Sequence, residues 1–190
     1  MNKQLLEIIK KVSVVFDIEW QIVASFISVE SGGRGFDPKT GKILIQFEPA
    51  WFRRRAPYAP SGAWSVNKVD VQSREWVAFN DAFEKNKSAA MESTSIGLGQ
   101  IMGFHWKRLG YSSVDEMWDR AKESLTDQVY QILKFIETDK NLINFLKAKD
   151  WHNVARIYNG AGYMDIAKKY GREPYNISME KAYNKFMSKK

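Results

Sequence analysis

Apolar side chains recur every three to four residues along most of this chain, and that period confines it to a mostly helical fold. Leu5, Ile8, Ile9 and Val12 form one stripe, and Ile22, Val23, Phe26 and Ile27 form a second. Asp17 is placed to cap the second helix and Gly32-Gly33 to end it. A turn-rich stretch runs from Gly35 to Lys42, and Ile43 to Phe47, short and β-branched, is the best strand candidate. Arg53 to Asn67, with Pro57, Pro60 and Gly62, reads as a loop. Beyond it Trp76, Phe79 and Phe83 share a helix face, while Ser112, Ser124, Asp150 and Ser178 each precede a helix-like run as N-caps. No repeat, low-complexity tract or linker interrupts the pattern. The expectation is a single domain over residues 1–190, mostly α (α+β), with a small β-hairpin after the second helix.

The residue inventory narrows the chemistry. Cysteine is absent and only two histidines, His105 and His152, are present. Thiol nucleophiles, Cys-based metal centres, three-histidine sites and zinc helices of the HExxH type are all excluded. Carboxylates, hydroxyls and amides remain, among abundant aromatics. A net charge of +7 suits association with a polyanion. Lys3, Glu7, Lys10 and Lys11 break up the first sixteen residues, so no signal-peptide core is expected there. No apolar stretch approaches the ~18 residues of a membrane span.

One carboxylate stands where it should not. Val23, Phe26, Ile27 and Glu30 follow the i, i+3, i+4, i+7 pattern, which puts Glu30 on the apolar stripe in the helix's last turn. Burial disfavours its charged form, and the helix C-terminus repels an anion. Both raise its pKa toward what a general acid needs near neutrality. The competing reading is a surface helix end, or a salt bridge to Arg34. For a second carboxylate the candidates are Glu48, at the end of the strand, and Asp37, in the loop. Asp70 and Glu92 are more distant possibilities. Glu48 also reads as a charge on an exposed edge strand, and Asp37, before Pro38, as a turn starter.

Three segments carry a resemblance: Ser28-Val29-Glu30-Ser31-Gly32-Gly33, Ser95-Ile96-Gly97-Leu98-Gly99-Gln100-Ile101-Met102-Gly103, and Ala155-Arg156-Ile157-Tyr158-Asn159-Gly160. Together, in this order, they resemble motifs of the lysozyme superfamily, including goose-type lysozymes and soluble lytic transglycosylases. From about Val12 onward the chain resembles the N-acetylmuramidase family of phage endolysins, and the stretch Ile43 to Phe52 is closest to that family. The resemblance implies a lysozyme-like helical domain with no separate wall-binding module. It implies hydrolysis of the β-1,4 bond between N-acetylmuramic acid and N-acetylglucosamine, with Glu30 as general acid and no metal or organic cofactor. Glu48, or less readily Asp37, would steer water or stabilise the oxocarbenium. Ser95, Gln100, Tyr158 and Asn159 would contact substrate, and His105 would line the site.

Each of these has a plainer reading beside it. Gln100 is a solvated residue after a turn, Tyr158 a half-buried core tyrosine, Asn159 a left-handed helix stop, and His105 a packing partner of Trp106. Trp51, Phe52, Tyr58 and Trp64 are the aromatics expected to be exposed for sugar stacking, whereas Trp20, Trp76, Trp106, Trp118 and Trp151 fall at core spacing. The expected partners are peptidoglycan glycan strands, met by a monomer, and the anionic bacterial envelope, attracted by basic residues such as Arg53-Arg54-Arg55. Synthesis in the host cytoplasm and action on the wall in the periplasm after release follow from the same resemblance. A lytic transglycosylase, forming an anhydro sugar, is the nearest rival. A basic nucleic-acid-binding helical module is the rival from another class. It fits the charge, but its basic residues would crowd one helix, and here they alternate with acids, so no nucleic acid is expected.

Overall fold

The computed structural model describes residues 1–68 and 71–188; Asp70 and the terminal Lys189-Lys190 pair lie outside the described residues. The first elements are α1 (Lys3–Val15), α2 (Trp20–Ser31), β1 (Ile45–Phe47), α3 (Pro49–Arg55), a 3-10 turn at Ala63–Val66, α4 (Gln72–Lys85) and α5 (Lys87–Glu92). Strands β2 (Thr94–Ile96) and β3 (Ile101–Met102) follow, then a second 3-10 turn at Gly103–His105. The rest is helical: α6 (Val114–Glu123), α7 (Leu125–Glu137), α8 (Lys140–Ala148), α9 (Trp151–Tyr158), α10 (Tyr163–Lys169) and α11 (Tyr175–Met187). The mostly helical expectation is met. Two compact units emerge, Met1–Gly33 with Ile132–Lys190, and Arg34–Gln131.

In the first unit α2 is the buried helix. Ile22 through Ile27 are all shielded from solvent, because α2 packs on α1 and on α11, which in turn packs on α9. Each such apolar side chain contributes roughly 1.5–3 kcal/mol relative to an exposed one. Gly32 ends the helix in the left-handed conformation (φ 60°), its N–H donating to the Ile27 carbonyl, as Gly at this position should. That stop sets Glu30 in the last turn. The helix start differs from expectation. Asp17 is itself left-handed (φ 51°), and Glu19 takes the cap position without a side-chain hydrogen bond.

In the second unit three antiparallel strands lie in the order β1-β2-β3, with Ile45 opposite Ile96 and Ile96 opposite Ile101. The turn-rich stretch after α2 closes on itself through a Phe36–Ile43 bridge, while β1 pairs with the distant β2. Among the described residues, the outer edge of β1 has no strand beside it. Two side chains of α4, one turn apart, take that place. Gln72 accepts from the Ile45 N–H (3.0 Å) and donates to the Ile45 carbonyl (2.8 Å), and buried Glu75 accepts from the Phe47 N–H (2.8 Å). Replacing Gln72 by Ala orphans two main-chain groups. A loss of about 1–3 kcal/mol is expected in denaturant unfolding, and an unchanged midpoint would refute this edge role.

Other local expectations are corrected here. The segment 53–67 is not wholly loop. Pro49 starts α3, which runs to Arg55, and Ala63–Val66 forms a 3-10 turn. Phe52 and Trp64 are buried rather than exposed, because their rings pack together (4.8 Å, edge-on) and the Trp64 indole N–H donates to the Pro60 carbonyl (2.8 Å). Trp118 and Trp151 are buried as expected, whereas Trp20, Trp76 and Trp106 are half-buried. Ser113, not Ser112, caps α6; Ser112 instead donates to Glu116 from both its N–H and its hydroxyl. Ser178 lies inside α11, whose cap position is Pro174. Asn159 is right-handed (φ −96°), and Gly160 supplies the positive φ that a side chain would resist.

Candidate active site

The first unit assembles one of two polar constellations. Glu30 as a whole is part-exposed, yet its carboxyl is closely surrounded, and burial pushes its pKa up to about 7. The Tyr175 hydroxyl, at the start of α11, donates to Glu30 Oε1 and opposes that rise by favouring the charged form. Tyr158, from α9, stacks on Phe26 (4.3 Å between ring centres), meets Phe135 edge-on (5.1 Å) and lies parallel to Tyr175 (6.4 Å). Burial, and then the Glu30 charge, hold both tyrosine hydroxyls well above their ordinary pKa, so both stay protonated. The result is a carboxyl half-protonated near neutrality, backed by rings and held by one phenol.

Tyr175 was not among the residues singled out in the sequence. It stands 145 residues from Glu30 and follows Glu173-Pro174, where nothing local marks a functional side chain. Tyr175→Phe removes a hydrogen bond to the charged carboxyl. The Glu30 pKa should therefore rise above about 7 in a carbon-detected NMR titration, and a fall would contradict the assignment.

The second constellation lies on the sheet. Ile45 and Phe47 turn into the core, so Gln46 and Glu48 share the opposite face by strand alternation. Gln46 Nε2 donates to Glu48 Oε1 (2.7 Å). Opposite Gln46, the Ser95 hydroxyl reaches the Gln46 carbonyl (3.4 Å) and Gln100 Oε1 (3.1 Å), and Gln100 Nε2 donates to the Gly97 carbonyl (2.8 Å). Glu48 is half-buried. Its pKa is raised, first by burial and then by the Glu75 charge, against the lowering effect of Gln46. Gln46, legible from the period-2 pattern, was overlooked in favour of its charged neighbour.

The 97–100 turn is built for close approach. Gly97 is left-handed (φ 67°), and a Cβ there would stand 2.7 Å from Gln128 Oε1. That oxygen accepts from the Leu98 N–H (2.9 Å), while Gln128 Nε2 donates to the Ala121 carbonyl (2.8 Å). A Cβ on Gly35 would meet the same Gln128 oxygen at 2.3 Å.

The remaining candidates fall elsewhere. The Asp37 carboxylate accepts from the Lys39 N–H (2.8 Å), a self-contained turn. Glu92 is held by Arg55 Nε and the Trp106 indole N–H, each at 3.0 Å. Asn159 is exposed at the end of α9. His105 packs on Phe104 (4.3 Å), and burial, then Arg108 and Arg55, lower its pKa to about 4, so it is neutral at working pH. Among the described residues no group of three His, Asp or Glu is arranged to hold a metal, and no helix is long and apolar enough to cross a membrane.

Known proteins place the chain in a family. The crystal structure of the Burkholderia AP3 phage endolysin matches with a TM-score of 0.77 at 28% identity, covering 96% of this chain and 70% of that one. No curated protein matches. The profile of the N-acetylmuramidase family matches residues 19–187, which span the Glu30, Glu48, Gln100, Tyr158 and Tyr175 positions. On that match, the chain belongs to the N-acetylmuramidase family.

Proposed function

We propose that this muramidase, a glycoside hydrolase acting on peptidoglycan, cleaves the β-1,4 bond between N-acetylmuramic acid and N-acetylglucosamine with Glu30 as general acid. The observation that supports it most is the Glu30 carboxyl, buried among rings and poised near pH 7. A protonated Glu30 gives its proton to the glycosidic oxygen, so the leaving sugar departs as a neutral alcohol. Tyr175 orients the carboxyl and stabilises the carboxylate left behind. Glu48, oriented by Gln46, is the base that activates water. Ser95 and Gln100 retain lone pairs and an amide proton for an N-acetyl group. Tyr158 fixes the rings around Glu30.

The chain carries out this chemistry without a cofactor. It works as a monomer on the cell wall, reaching the anionic envelope through its basic surface and binding no nucleic acid. Release from the cell interior would precede that action.

Mass spectrometry of digests of purified peptidoglycan tests the reaction, with wild type and Glu48→Gln in parallel. Reducing-end muramic acid from wild type, reduced about a hundredfold or more in Glu48→Gln, is the expected result for loss of a general base. Anhydro-muramic acid, formed equally by both, would replace hydrolysis with transglycosylation and release Glu48 from its role.

A further inference from the structure

Helix α3 presents an aromatic and cationic platform that the cleavage chemistry does not use. Glu48 occupies its cap, and Trp51, three residues on, returns to the same side of the helix, its N–H bonded to the Glu48 carbonyl (3.0 Å). Trp51 is 36% exposed and its ring packs against Phe104 (4.9 Å, tilted 45°). Two guanidinium groups of the next turn lie over these rings. Arg54 sits 5.1 Å from the Trp51 ring centre, and Arg55 sits 5.0 Å from Trp51 and 4.9 Å from Phe104. Arg55 already binds Glu92. Arg54 is exposed, with no carboxylate partner among the described residues.

A guanidinium over an aromatic face keeps its N–H fork directed outward while losing the freedom that makes a surface arginine a poor binder. Such a fork takes a carboxylate in two parallel hydrogen bonds. Next to it, an exposed indole offers the flat apolar face on which the C–H side of a pyranose rests. A ligand that satisfies both must carry a sugar and a carboxylate a few ångströms apart. A muramic acid unit bearing its stem peptide has that form. Bare chitin-like glycan lacks the carboxylate, and a phosphate polymer lacks the adjoining N-acetyl sugar.

We propose that Trp51, Phe104 and Arg54 form a subsite for the peptide-bearing muramic acid, Trp51 taking the sugar and Arg54 a stem-peptide carboxylate. The proposal rests on the peptidoglycan-cleaving reading above and adds that this enzyme favours peptide-bearing muramic glycan over a glycan without carboxylates.

The test uses ligands that need no turnover. Calorimetric titration compares the soluble disaccharide-peptide with a bare disaccharide of two N-acetylglucosamine units, which carries no carboxylate, on wild type, Arg54→Gln and Trp51→Ala. Wild type should bind the disaccharide-peptide about tenfold more tightly, the equivalent of one charge-assisted contact. Arg54→Gln should lose most of that preference while keeping its affinity for the bare disaccharide, and Trp51→Ala should weaken both ligands. Unfolding midpoints near wild type establish that the platform alone has changed. Equal wild-type affinity for the two ligands, or an undiminished preference in Arg54→Gln, would overturn the subsite. Because binding is read without turnover, a preference seen in an enzyme that fails the hydrolysis test leaves the subsite standing. An active enzyme without the preference removes the subsite alone.

Discussion

Glu30→Gln is expected to lose activity by about a hundredfold to ten-thousandfold, the range general acids contribute, while its fold persists. The amide is isosteric, and its carbonyl still accepts the Tyr175 hydroxyl. The same substitution should alter stability, in a direction fixed by linkage. Folding raises the Glu30 pKa from 4.5 to about 7, so the folded state holds a proton that the unfolded chain releases. The stability this contributes is complete below about 4.5 and is lost as pH rises through about 7. Glutamine has no such dependence. At pH 8 the variant should be the more stable protein by up to about 3 kcal/mol, less what solvent at the part-exposed side chain screens. At pH 4 the two should match. Thermal unfolding at both pH values, beside turnover of purified peptidoglycan, reads both effects. Substantial activity in the variant, or a destabilised variant at pH 8, would remove Glu30 from its role. Wild-type turnover should likewise fall as pH rises past about 7, where the acid loses its proton.

Phe26→Ala is expected to give the largest loss of stability among single changes near the site, about 3–5 kcal/mol. Phe26 is fully buried on the central helix of its unit, and its ring is the floor on which Tyr158 stacks. The deletion leaves a cavity that rigid neighbours on α2 and α9 cannot close. It also frees the Tyr158 ring from one of the aromatic contacts that hold it beside Tyr175. Denaturant unfolding measures the loss. A change below about 1 kcal/mol would mean that the site collapses freely, contrary to the packing described.

The sequence made the helices legible because their signal is local. A stripe at 3.6-residue spacing marked α2, and a glycine stop placed Glu30 in its final turn. Strand β1 was legible for the same reason, as a short β-branched run. Caps were harder. Ser112 and Ser113 differ by one position, and only the Glu116 contact decides which of them caps α6. Exposure of aromatics was misread at Phe52 and Trp64, where proline and glycine nearby suggested open loop. Two rings packing against each other and a carbonyl for the indole made a small core instead. Long-range partners left no trace at all. Tyr175 reaches Glu30 across 145 positions, and Gln72 and Glu75 complete an edge 27 and 28 residues away. No window-based pattern registers a hydrogen bond made by tertiary packing.

The glutamine at position 128 ties the 97–100 turn to a helix, and that has a consequence for how such a chain varies. Its side chain fills the space that Gly35 and Gly97 leave open and satisfies main-chain groups at Leu98 and Ala121. A shorter residue at 128 withdraws its oxygen from both glycines but strands both main-chain groups, while Leu125 still crowds a Cβ at 35 and the left-handed backbone still disfavours one at 97. A larger residue at either glycine evicts the glutamine. None of the three positions can drift alone, so in divergent descendants they should change as a set or not at all, and their double-mutant energies should fail to add.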